Sequence, residues 1–509
     1  MMDAALREAL AAIVGPQHVL LDEAARRLAS SDVHVWPDAV VADCVVQPGS
    51  TDELAQVVRA LSGSATAIVP RGAGLSYTAG AVPHDAAVII DTTRLDRITV
   101  HADDLHAVVG AGATWAALAR ALEPHGLRAA QISPISGSHS TVGGTASQNL
   151  PGGLDRIIGL TVVLIDGTVV RTGSSARQGT SAFERYAGPD LTGLFLGDCG
   201  AFGVKSEVVV RLAPEREATF ASFRFETADA MLAALITLRR RELVTRALSM
   251  DDLKADLATR VDAAEAMRVA GAVVREAGSA GRALKDLAQL AMGRSAMKAS
   301  GWSLHLTVEG ATAAIAEAQM DLARAVCRAQ GQAISDVVPR TLRARPYSVR
   351  GMVGPAGERW VPIHGILPLT RAAGCMSDLL ETLEASGAEL TTAGVLHTWL
   401  ISTIGAYVTI EPMFYWNDRL DPIHMKYLSA RNQARFGNRD LNQAARELVS
   451  RLRIELREVM ERHGAVHAQL GRFYPWRPVL DPGSTSLLER VKDALDPGRR
   501  MNPGVLGLS

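Results

Sequence analysis

The sequence has few of the features that mark specialised classes of protein. Only 5% of its 509 residues are aromatic, and 53 basic against 54 acidic residues leave a formal net charge of −1. A nucleic-acid-binding surface is typically basic, so this balance indicates no nucleic-acid partner. The four cysteines, at positions 44, 199, 327 and 375, lack the paired spacing of a zinc site. They fit reduced thiols better than a disulfide framework.

Long apolar runs are also missing. No window of about 18 residues is apolar and uncharged enough to span a bilayer, so we expect no transmembrane segment. The first residues lack the basic and apolar regions of a signal peptide, and we expect a soluble, cytoplasmic protein. At about 100–200 residues per domain, the length predicts two or three domains.

The first 215 residues mix short apolar runs with amphipathic helical patterns. Apolar runs at 40–47, 65–69, 88–91 and 107–109 predict strands. The runs 160–165 and 169–170 flank Asp166-Gly167, which is a typical turn of a two-residue β-hairpin. This order predicts an α+β domain with an antiparallel component.

The middle of the chain has a different composition. Residues 228–298 are rich in Ala, Leu and Arg at helical spacing, which predicts a helical region. Strands are predicted at 302–308, 360–367 and 406–416, and helices at 373–386, 427–463 and 487–495. No internal repeat or low-complexity linker separates these segments.

Three glycine-rich segments could bind a nucleotide. Segment 110–113 follows a strand, but it lacks the third glycine and the distant acidic residue of a nicotinamide-binding Rossmann fold. Segment 70–77 could form a nest of backbone N–H groups for an anion, with Arg71 adding charge and Ser76 a hydroxyl, although an ordinary surface turn explains it equally well alone. Segment 136–149 combines glycines and hydroxyls, and its plainer interpretation is a flexible loop. One cofactor with two phosphates would explain both of the last two segments.

In these segments the chain resembles the FAD-binding domain of the vanillyl-alcohol oxidase / p-cresol methylhydroxylase superfamily, which also contains glycolate-oxidase and D-lactate-dehydrogenase flavoproteins. The blocks that carry the resemblance occur in the family's order: Pro70-Arg71-Gly72-x-Gly74, Thr141-Val142-Gly143-Gly144-x-Ala146, Gly200-x-x-Gly203-Val204-Lys205 and Asp496-Pro497-x-x-x-Met501-Asn502-Pro503-Gly504.

The resemblance implies FAD as cofactor and an α+β fold. It implies a two-subdomain FAD-binding domain of the p-cresol methylhydroxylase type over residues 1–215. A cap domain with a mostly antiparallel sheet would span 216–460, and a C-terminal segment, 461–509, would return to the FAD domain. The residues it places around the cofactor are Arg71, Gly72, Ala73, Gly74, Leu75 and Ser76 at the pyrophosphate, Ser138, Thr141, Gly143, Gly144 and Ser147 along the FAD, Ile158, Gly203 and Val204 at the adenine or flavin ring, and Asn502 at the closing tail.

The chain departs from two branches of the family. Leu75 stands near the place where the berberine-bridge branch has its flavin-linking histidine, so a covalent bond from this loop is not expected. The paired metal-binding histidines and the Glu-His-Gly step of the hydroxy-acid branch are not present in the corresponding region, so we expect no zinc site and no other metal.

An enzyme of this family transfers a hydride from a C–H bond to flavin N5 while a base removes a proton from the neighbouring heteroatom. Candidates for the base or for substrate anchoring are Glu411, His364, His397, Arg472, Tyr474 and Tyr415. A histidine or aromatic residue on a strand is more often part of a core, and for Glu411 structural pairing is an equally good interpretation. Arg472 with Tyr474 resembles the pair with which phenol oxidases of the family bind a phenolate, and arginine also suits a carboxylate.

The resemblance leaves the substrate open. An aryl alcohol or a para-substituted phenol is slightly preferred over a D-2-hydroxy acid as the small-molecule substrate. Oxygen, a quinone or a cytochrome could accept the electrons, and a homodimer is one open alternative. The rival hypotheses are an NADPH-driven reductase and a flavin-binding protein without catalysis.

Overall fold

A computed structural model describes residues 3–130, 134–150, 154–259, 301–347 and 352–508. They belong to two compact units. The first unit is Met1–Glu215 together with Ala468–Ser509, and the second is Arg216–His467.

The α-helices, in chain order, are α1 (Ala4–Val14), α2 (Glu23–Ala29), α3 (Thr51–Ser62), α4 (Trp115–Leu122), α5 (Val142–Ser147), α6 (Leu191–Leu194), α7 (Ala228–Arg240), α8 (Asp252–Thr259), α9 (Ala313–Arg328), α10 (Val337–Ala344), α11 (Ala372–Ala385), α12 (Gly387–Ala393), α13 (Pro422–Lys426), α14 (Ala430–Phe436), α15 (Gln443–Arg462) and α16 (Pro482–Leu495). Short 3₁₀ helices are Pro16–His18, Thr92–Arg94, Glu123–His125, Leu154–Arg156, Gly173–Ala176, Arg477–Val479 and Val505–Gly507.

The strands are β1 (Val19–Leu20), β2 (Cys44–Val46), β3 (Ala67–Arg71), β4 (Ala87–Asp91), β5 (Ile98–His101), β6 (His106–Gly110), β7 (Leu127–Ala129), β8 (Ile157–Val163), β9 (Val169–Arg171), β10 (Val204–Pro214), β11 (Glu217–Phe225), β12 (Arg246–Asp251), β13 (Trp302–Gly310), β14 (Gln332–Ile334), β15 (Arg359–Pro362), β16 (Gly365–Pro368), β17 (Val395–Ile404) and β18 (Tyr407–Trp416).

The first unit contains two sheets. The smaller has the order β1-β2-β4-β3, in which β2, β4 and β3 are parallel. Its strands are almost continuously apolar because helices such as α3 pack against it; Ser50 begins α3 by accepting a hydrogen bond from the Glu53 N–H, and Leu54, Val58 and Leu61 are fully buried. The second sheet has the order β5-β6-β10-β8-β9, with β7 also pairing with β10, and its pairs are antiparallel.

The second unit is built on one eight-stranded sheet. Its order is β14-β11-β13-β12-β17-β18-β15, with β16 pairing with β18, and the neighbours are antiparallel. The predicted α+β fold, with a mostly antiparallel sheet after the FAD-binding domain, is therefore confirmed.

The sequence prediction was right for the hairpin β8–β9, for β13, β18 and α11, and wrong at three places. The strand predicted at 360–367 is interrupted at Ile363 and His364, although β15 and β16 keep one register along β18 and the Ile363 N–H still donates to the Pro412 carbonyl oxygen. The helix predicted at 427–463 is interrupted, because α14 ends at Gly437 and Asn442 begins α15 by accepting a hydrogen bond from the Ala445 N–H. The helical region predicted at 228–298 contains β12, and its part beyond residue 259 lies outside the described residues.

Among the residues that the structure describes, no helix is both long and apolar enough to cross a membrane.

Candidate functional site

A cleft in the first unit opens where the loop after β3, the N-terminal part of α5 and the beginning of β10 meet. The space between its lining atoms is about 800 Å³, including the part that opens to solvent.

One wall of the cleft is the loop 72–76, whose backbone carries hydrogen-bond donors. Among the described residues, the N–H groups of Gly74, Leu75 and Ser76 have no hydrogen-bond acceptor. Gly74 has a φ of +73°, which glycine adopts without strain. Successive N–H groups around such a residue form a concave site for an anion.

Arg71 supports this loop from beneath. Its guanidinium donates to the carbonyl oxygens of Ser31 at 2.7 Å and Leu28 at 3.3 Å, and only 5% of the residue is exposed. A Cβ atom on Gly74 would lie 1.9 Å from Arg71 Nη2. The sequence predicts that Arg71 adds positive charge beside an anion; in the structure its guanidinium also anchors the loop to these two carbonyl oxygens.

Glycines bring the other walls close together. A Cβ on Gly72 would lie 2.4 Å from Thr141 Oγ1, and one on Gly143 would lie 2.5 Å from the Cβ of Ala111. Thr141 is also the N-cap of α5, where its hydroxyl accepts from the Gly144 N–H at 3.1 Å. The glycines of the sequence blocks therefore allow backbone to approach backbone, and side chains there would fill or distort the cleft.

The inner end of the cleft contains a buried ion pair and a buried thiol. Lys205 Nζ donates to Asp198 Oδ1 at 2.5 Å, and the two side chains are 2% and 0% exposed. Cys199 has a φ of +50°, and its sulfur accepts from the Gly471 N–H at 3.3 Å. Burial raises the pKa of the Cys199 thiol to about 12, so the group is a neutral wall and not a nucleophile.

The C-terminal segment is tied to this loop system by polar side chains. Gln469 donates to the Tyr77 hydroxyl at 2.8 Å. Asn502 donates to the carbonyl oxygens of Gly80 and Cys199, and accepts from Arg472 Nη2 at 3.2 Å. The tail residue predicted to close over the cofactor thus binds the loops that form the cleft.

Twelve of the fifteen residues predicted to bind FAD line the cleft: Arg71, Gly72, Ala73, Gly74, Leu75, Ser76, Thr141, Gly143, Gly144, Ser147, Gly203 and Val204. Three predicted residues do not line it. Ser138 lies in the turn before α5, Ile158 packs in the apolar cluster with Ala182 and Val209, and Asn502 is buried behind the cleft.

Two predicted substrate anchors belong to the interior of the first unit. Arg472 donates to the carbonyl oxygens of Ala79, Val82 and Pro503 as well as to Asn502, and burial lowers its pKa to about 10. Tyr474 is 1% exposed and packs edge-to-face on Phe473. Neither side chain lines the cleft.

The second unit places two other candidates on one face of its sheet. Glu411, Met413 and Tyr415 alternate along β18, so their side chains share one face of the sheet. Lys254 of α8 packs on this face, with its Nζ donating to the Tyr415 hydroxyl at 2.6 Å and lying 3.4 Å from Met413 Sδ. The indole of Trp360 stacks on the Tyr415 ring at 6.4 Å between centroids. We call Glu411, Lys254 and Tyr415 the polar triad.

Loss of hydration shifts the acids near Lys254. Burial raises the pKa of Glu411 to about 7, although the Lys254 ammonium lowers it in part. Burial likewise raises the pKa of Asp251 to about 6, opposed by hydrogen bonds from the N–H groups of Trp399 and Lys254. A carboxyl group with a pKa near 7 can take and return a proton at neutral pH.

The predicted histidines lie outside the triad. His364 is buried between β15 and β16, its carbonyl accepts from His467 Nδ1 at 2.8 Å, and burial lowers its pKa to about 3. His397 pairs in register with Phe414, which places it on the face opposite to Glu411 and Tyr415.

Sequence reasoning missed Lys254, Gln148 and Gln469. Gln148 and Gln469 line the cleft beside the predicted loops, and Gln148 lies near the end of the segment 136–149. Lys254 gave no local signal, because it reaches Tyr415 only through the packing of α8 against the sheet.

Among the described residues, no group of three or more His, Cys, Asp or Glu side chains is placed to hold a metal ion.

A comparison with protein families supports a cofactor-binding role for the first unit. Residues 42–173 match the FAD binding domain family. The chain therefore contains an FAD-binding domain, its cofactor is FAD, and it is a flavoprotein. The glycines, unpaired N–H groups and cleft of the first unit fit such a cofactor.

Two curated proteins are similar in sequence to part of this chain. The chain is 32% identical over 226 residues to glycolate oxidase subunit GlcD of Bacillus subtilis, and 30% identical over 226 residues to mitochondrial D-lactate dehydrogenase [cytochrome] of Arabidopsis thaliana. Each match covers 42% of this chain, and it covers 45% and 38% of the two relatives. The chain thus matches less than half the length of either relative.

Solved structures extend the likeness in fold to the whole chain. p-Cresol methylhydroxylase has a TM-score of 0.74 at 16% identity, covering 99% of this chain and 96% of that one. 4-Ethylphenol oxidase from Gulosibacter chungangensis has a TM-score of 0.71 at 18% identity, covering 99% and 97%. An alkyldihydroxyacetonephosphate synthase has a TM-score of 0.69 at 16% identity, covering 99% and 85%. The resemblance to the p-cresol methylhydroxylase superfamily, predicted from the sequence, is confirmed for the fold.

Proposed function

We propose that this chain is an FAD-dependent oxidoreductase that oxidises a hydroxylated small molecule. The observation that carries the proposal is the loop 72–76, whose free N–H groups and glycine-lined cleft suit a pyrophosphate within a matched FAD-binding domain. The names of the relatives, an oxidase and a dehydrogenase, support the same class of reaction.

FAD, when bound, supplies a hydride acceptor at flavin N5. The residues of the chain would bind the cofactor, balance charge in the cleft and transfer a proton. The N–H groups of Gly74, Leu75 and Ser76 would donate to phosphate oxygens. Lys205, already paired with Asp198, would keep the inner end of the cleft close to electrically neutral, which suits an uncharged ring more than a further phosphate.

We assign proton transfer to the polar triad of the second unit. Glu411 would act as the base, because its pKa of about 7 keeps a useful fraction both ionised and protonated at neutral pH. Lys254 would stabilise the ionised form of Glu411, and it holds the Tyr415 hydroxyl through a 2.6 Å hydrogen bond. Residues Arg216–His467 would then serve as the cap.

An aryl alcohol or a para-substituted phenol is the substrate that we prefer. The stacked rings of Trp360 and Tyr415, on the same face of the sheet as Glu411, suit an aromatic ring. The likeness in fold to p-cresol methylhydroxylase and 4-ethylphenol oxidase extends over 99% of the chain and supports this choice.

A D-2-hydroxy acid is the second candidate. It is favoured by the matches to glycolate oxidase subunit GlcD and D-lactate dehydrogenase, which are more similar in sequence than the two phenol-named structures are.

Anaerobic reduction of the bound flavin tests the proposal. The purified yellow protein is mixed without oxygen with aryl alcohols, para-substituted phenols, D-2-hydroxy acids and, separately, NADPH, and the flavin absorbance is followed. We expect bleaching by a phenol or aryl alcohol. Bleaching only by a D-2-hydroxy acid would replace the preferred substrate with the second candidate. Bleaching by NADPH alone, or by none of the donors, would overturn the proposed reaction.

A further inference from the structure

Helix α9 of the second unit has an apolar stripe on its outer side. Ile315 and Leu322 are 54% and 59% exposed, and Ala318, Ala325 and Ala329 are also exposed. These positions recur at steps of three and four residues, which is the spacing of a coiled-coil seam. Exposed apolar side chains are unremarkable singly, but an aligned set on one helix indicates an interaction surface.

The stripe is separate from the side with which α9 packs on its own unit. Ala316, Met320, Ala323 and Cys327 are buried, and they form the inner side of the helix. At 100° per residue, the stripe lies on average more than 120° around the helix axis from that inner side. The helix is thus apolar on two sides, and only the inner side is covered by the described residues of the unit.

The charges beside the stripe are segregated along the helix. Glu317 and Asp321 lie in its first half, and Arg324 and Arg328 lie in its second half, all on the same flank. Arg324 pairs with both acids, at 2.5 Å and 2.8 Å, while Arg328 is exposed at the helix end. The flank is therefore acidic toward the N-terminus and basic toward the C-terminus.

We propose that this stripe binds a second copy of the chain, with the two α9 helices antiparallel about a two-fold axis. Such an axis places the acidic half of one flank beside the basic half of the other, so the helix is complementary to itself. In a seam of this spacing, Leu322 of each copy packs against Ala325 of the other copy. Asp321 then lies near Arg328 of the other copy, and the helix dipoles are opposed, which is the favourable arrangement.

The flank also distinguishes this arrangement from the parallel one. In a parallel pair a position on one flank faces the opposite flank of the other helix, so Asp321 would not meet Arg328 of the second copy and their attraction would be lost. A contact centred on one 16-residue helix is small beside the interface of about 1,200 Å² or more that stable complexes bury. We therefore expect a dimer that dissociates on dilution.

Sedimentation velocity of the flavin-loaded protein over a wide concentration range tests the proposal. We expect a monomer–dimer equilibrium for the wild type and a monomer for Leu322→Glu. The matched control is Leu487→Glu, because Leu487 is 57% exposed on α16 of the first unit, and it should dimerise like the wild type. A wild type that stays monomeric at every concentration, or a Leu322→Glu variant that associates like the wild type, would overturn the proposal.

A charge exchange tests the antiparallel arrangement. Asp321→Arg leaves arginine at both positions 321 and 328, and Arg328→Asp leaves aspartate at both, so like charges face each other and each variant should be monomeric alone. An equimolar mixture should form a heterodimer, and the double variant should dimerise again by itself. A mixture that stays monomeric, or single variants that associate as the wild type does, would contradict this arrangement. Both substitutions are on the helix surface, and circular dichroism checks that each variant is folded.

Discussion

The cleft of the first unit and the polar triad of the second are built by different means. The cleft is formed by backbone: free N–H groups, positive φ angles and glycines whose Cβ atoms would collide with neighbours. The triad is formed by side chains from α8 and β18 that meet across the sheet, and burial shifts the pKa of its carboxyl group. A cofactor-binding loop can thus be specified by residues that are neighbours in the sequence, whereas the proposed proton-transfer site depends on the packing of distant segments.

The largest expected effect is loss of the cofactor on substitution of Gly74. In Gly74→Glu the Cβ would lie 1.9 Å from Arg71 Nη2, and a carboxylate would enter the loop proposed to hold phosphates. We expect folded but colourless protein, measured as the ratio of flavin to protein absorbance.

The control for Gly74→Glu is Gly394→Glu. Gly394 has a similar φ of +66°, but a Cβ there would meet nothing within 4 Å, and it lies in the second unit. The control should remain yellow. Full flavin occupancy in Gly74→Glu would show that the loop 72–76 is an ordinary turn that does not bind the pyrophosphate of FAD.

A smaller effect is expected when the triad loses its carboxylate. Glu411→Gln should keep its flavin but reduce the rate of anaerobic flavin reduction by about 10²–10⁴-fold, the usual contribution of a general base. Stopped-flow absorbance with the best donor of the substrate panel measures this rate.

Glu309→Gln is the matched control for this substitution. Glu309 is a carboxylate of β13 in the same unit, paired with Arg343 at 2.6 Å, and is given no part in the reaction. Its rate should be close to that of the wild type. Equal rates for Glu411→Gln and Glu309→Gln would sink the assignment of the base.

The pH dependence sharpens the role of Lys254. If ionised Glu411 is the base, flavin reduction should accelerate as pH rises through about 7. Because the Lys254 ammonium lowers the pKa of Glu411, Lys254→Met should move this inflection to higher pH, while Lys254→Arg should leave it nearly in place. The measurement is the reduction rate of the three proteins over a pH series. An unmoved inflection in Lys254→Met would assign Lys254 to packing with Tyr415 alone.

The same contrast explains how much could be predicted from the sequence. The blocks at 70–76 and 141–147 predicted most of the residues that line the cleft, since glycines and small hydroxyl residues specify local backbone shape. The hairpin of β8 and β9 was predicted for the same reason, from Asp166-Gly167 in its turn.

What could not be predicted depends on contacts between distant segments. Arg71 has the right position for an anion, but the carbonyls of Leu28 and Ser31 that take its guanidinium belong to the end of α2 and the residues after it. Arg472 is similarly taken by carbonyls of the 79–82 loop. The interruption at Ile363 and His364 was missed, because β15 and β16 keep one register along β18 and a continuous apolar run predicts the same register without a break.

Two buried polar groups, one in each unit, differ in their pairing, and the smallest expected effect tests this difference. The buried Lys205 of the first unit is paired, whereas neither ring nitrogen of the fully buried His424 in the second unit has a partner among the described residues. Leaving buried polar atoms unpaired costs about 1–3 kcal/mol, so His424→Leu should stabilise the protein modestly at neutral pH.

The gain should grow in acid. Burial, followed by the nearby Arg359 guanidinium, lowers the pKa of His424 from its ordinary 6.5 to about 3. Between these values the unfolded chain binds a proton at this position that the folded chain does not, so the wild type loses stability as pH falls from 6.5 toward 3. At about pH 5 this one group costs the wild type about 2 kcal/mol, which the leucine removes.

Thermal unfolding at neutral and mildly acidic pH measures the difference, with His463→Leu as the control. His463 is in the same unit, but its Nε2 is 2.8 Å from Asp378 Oδ2, so its loss should destabilise and not stabilise. If His424→Leu lowers the unfolding temperature as His463→Leu does, His424 has a partner that stabilises it in solution. His424 would then be a paired group like Lys205, with a bound water or ligand beside Arg359 as its partner.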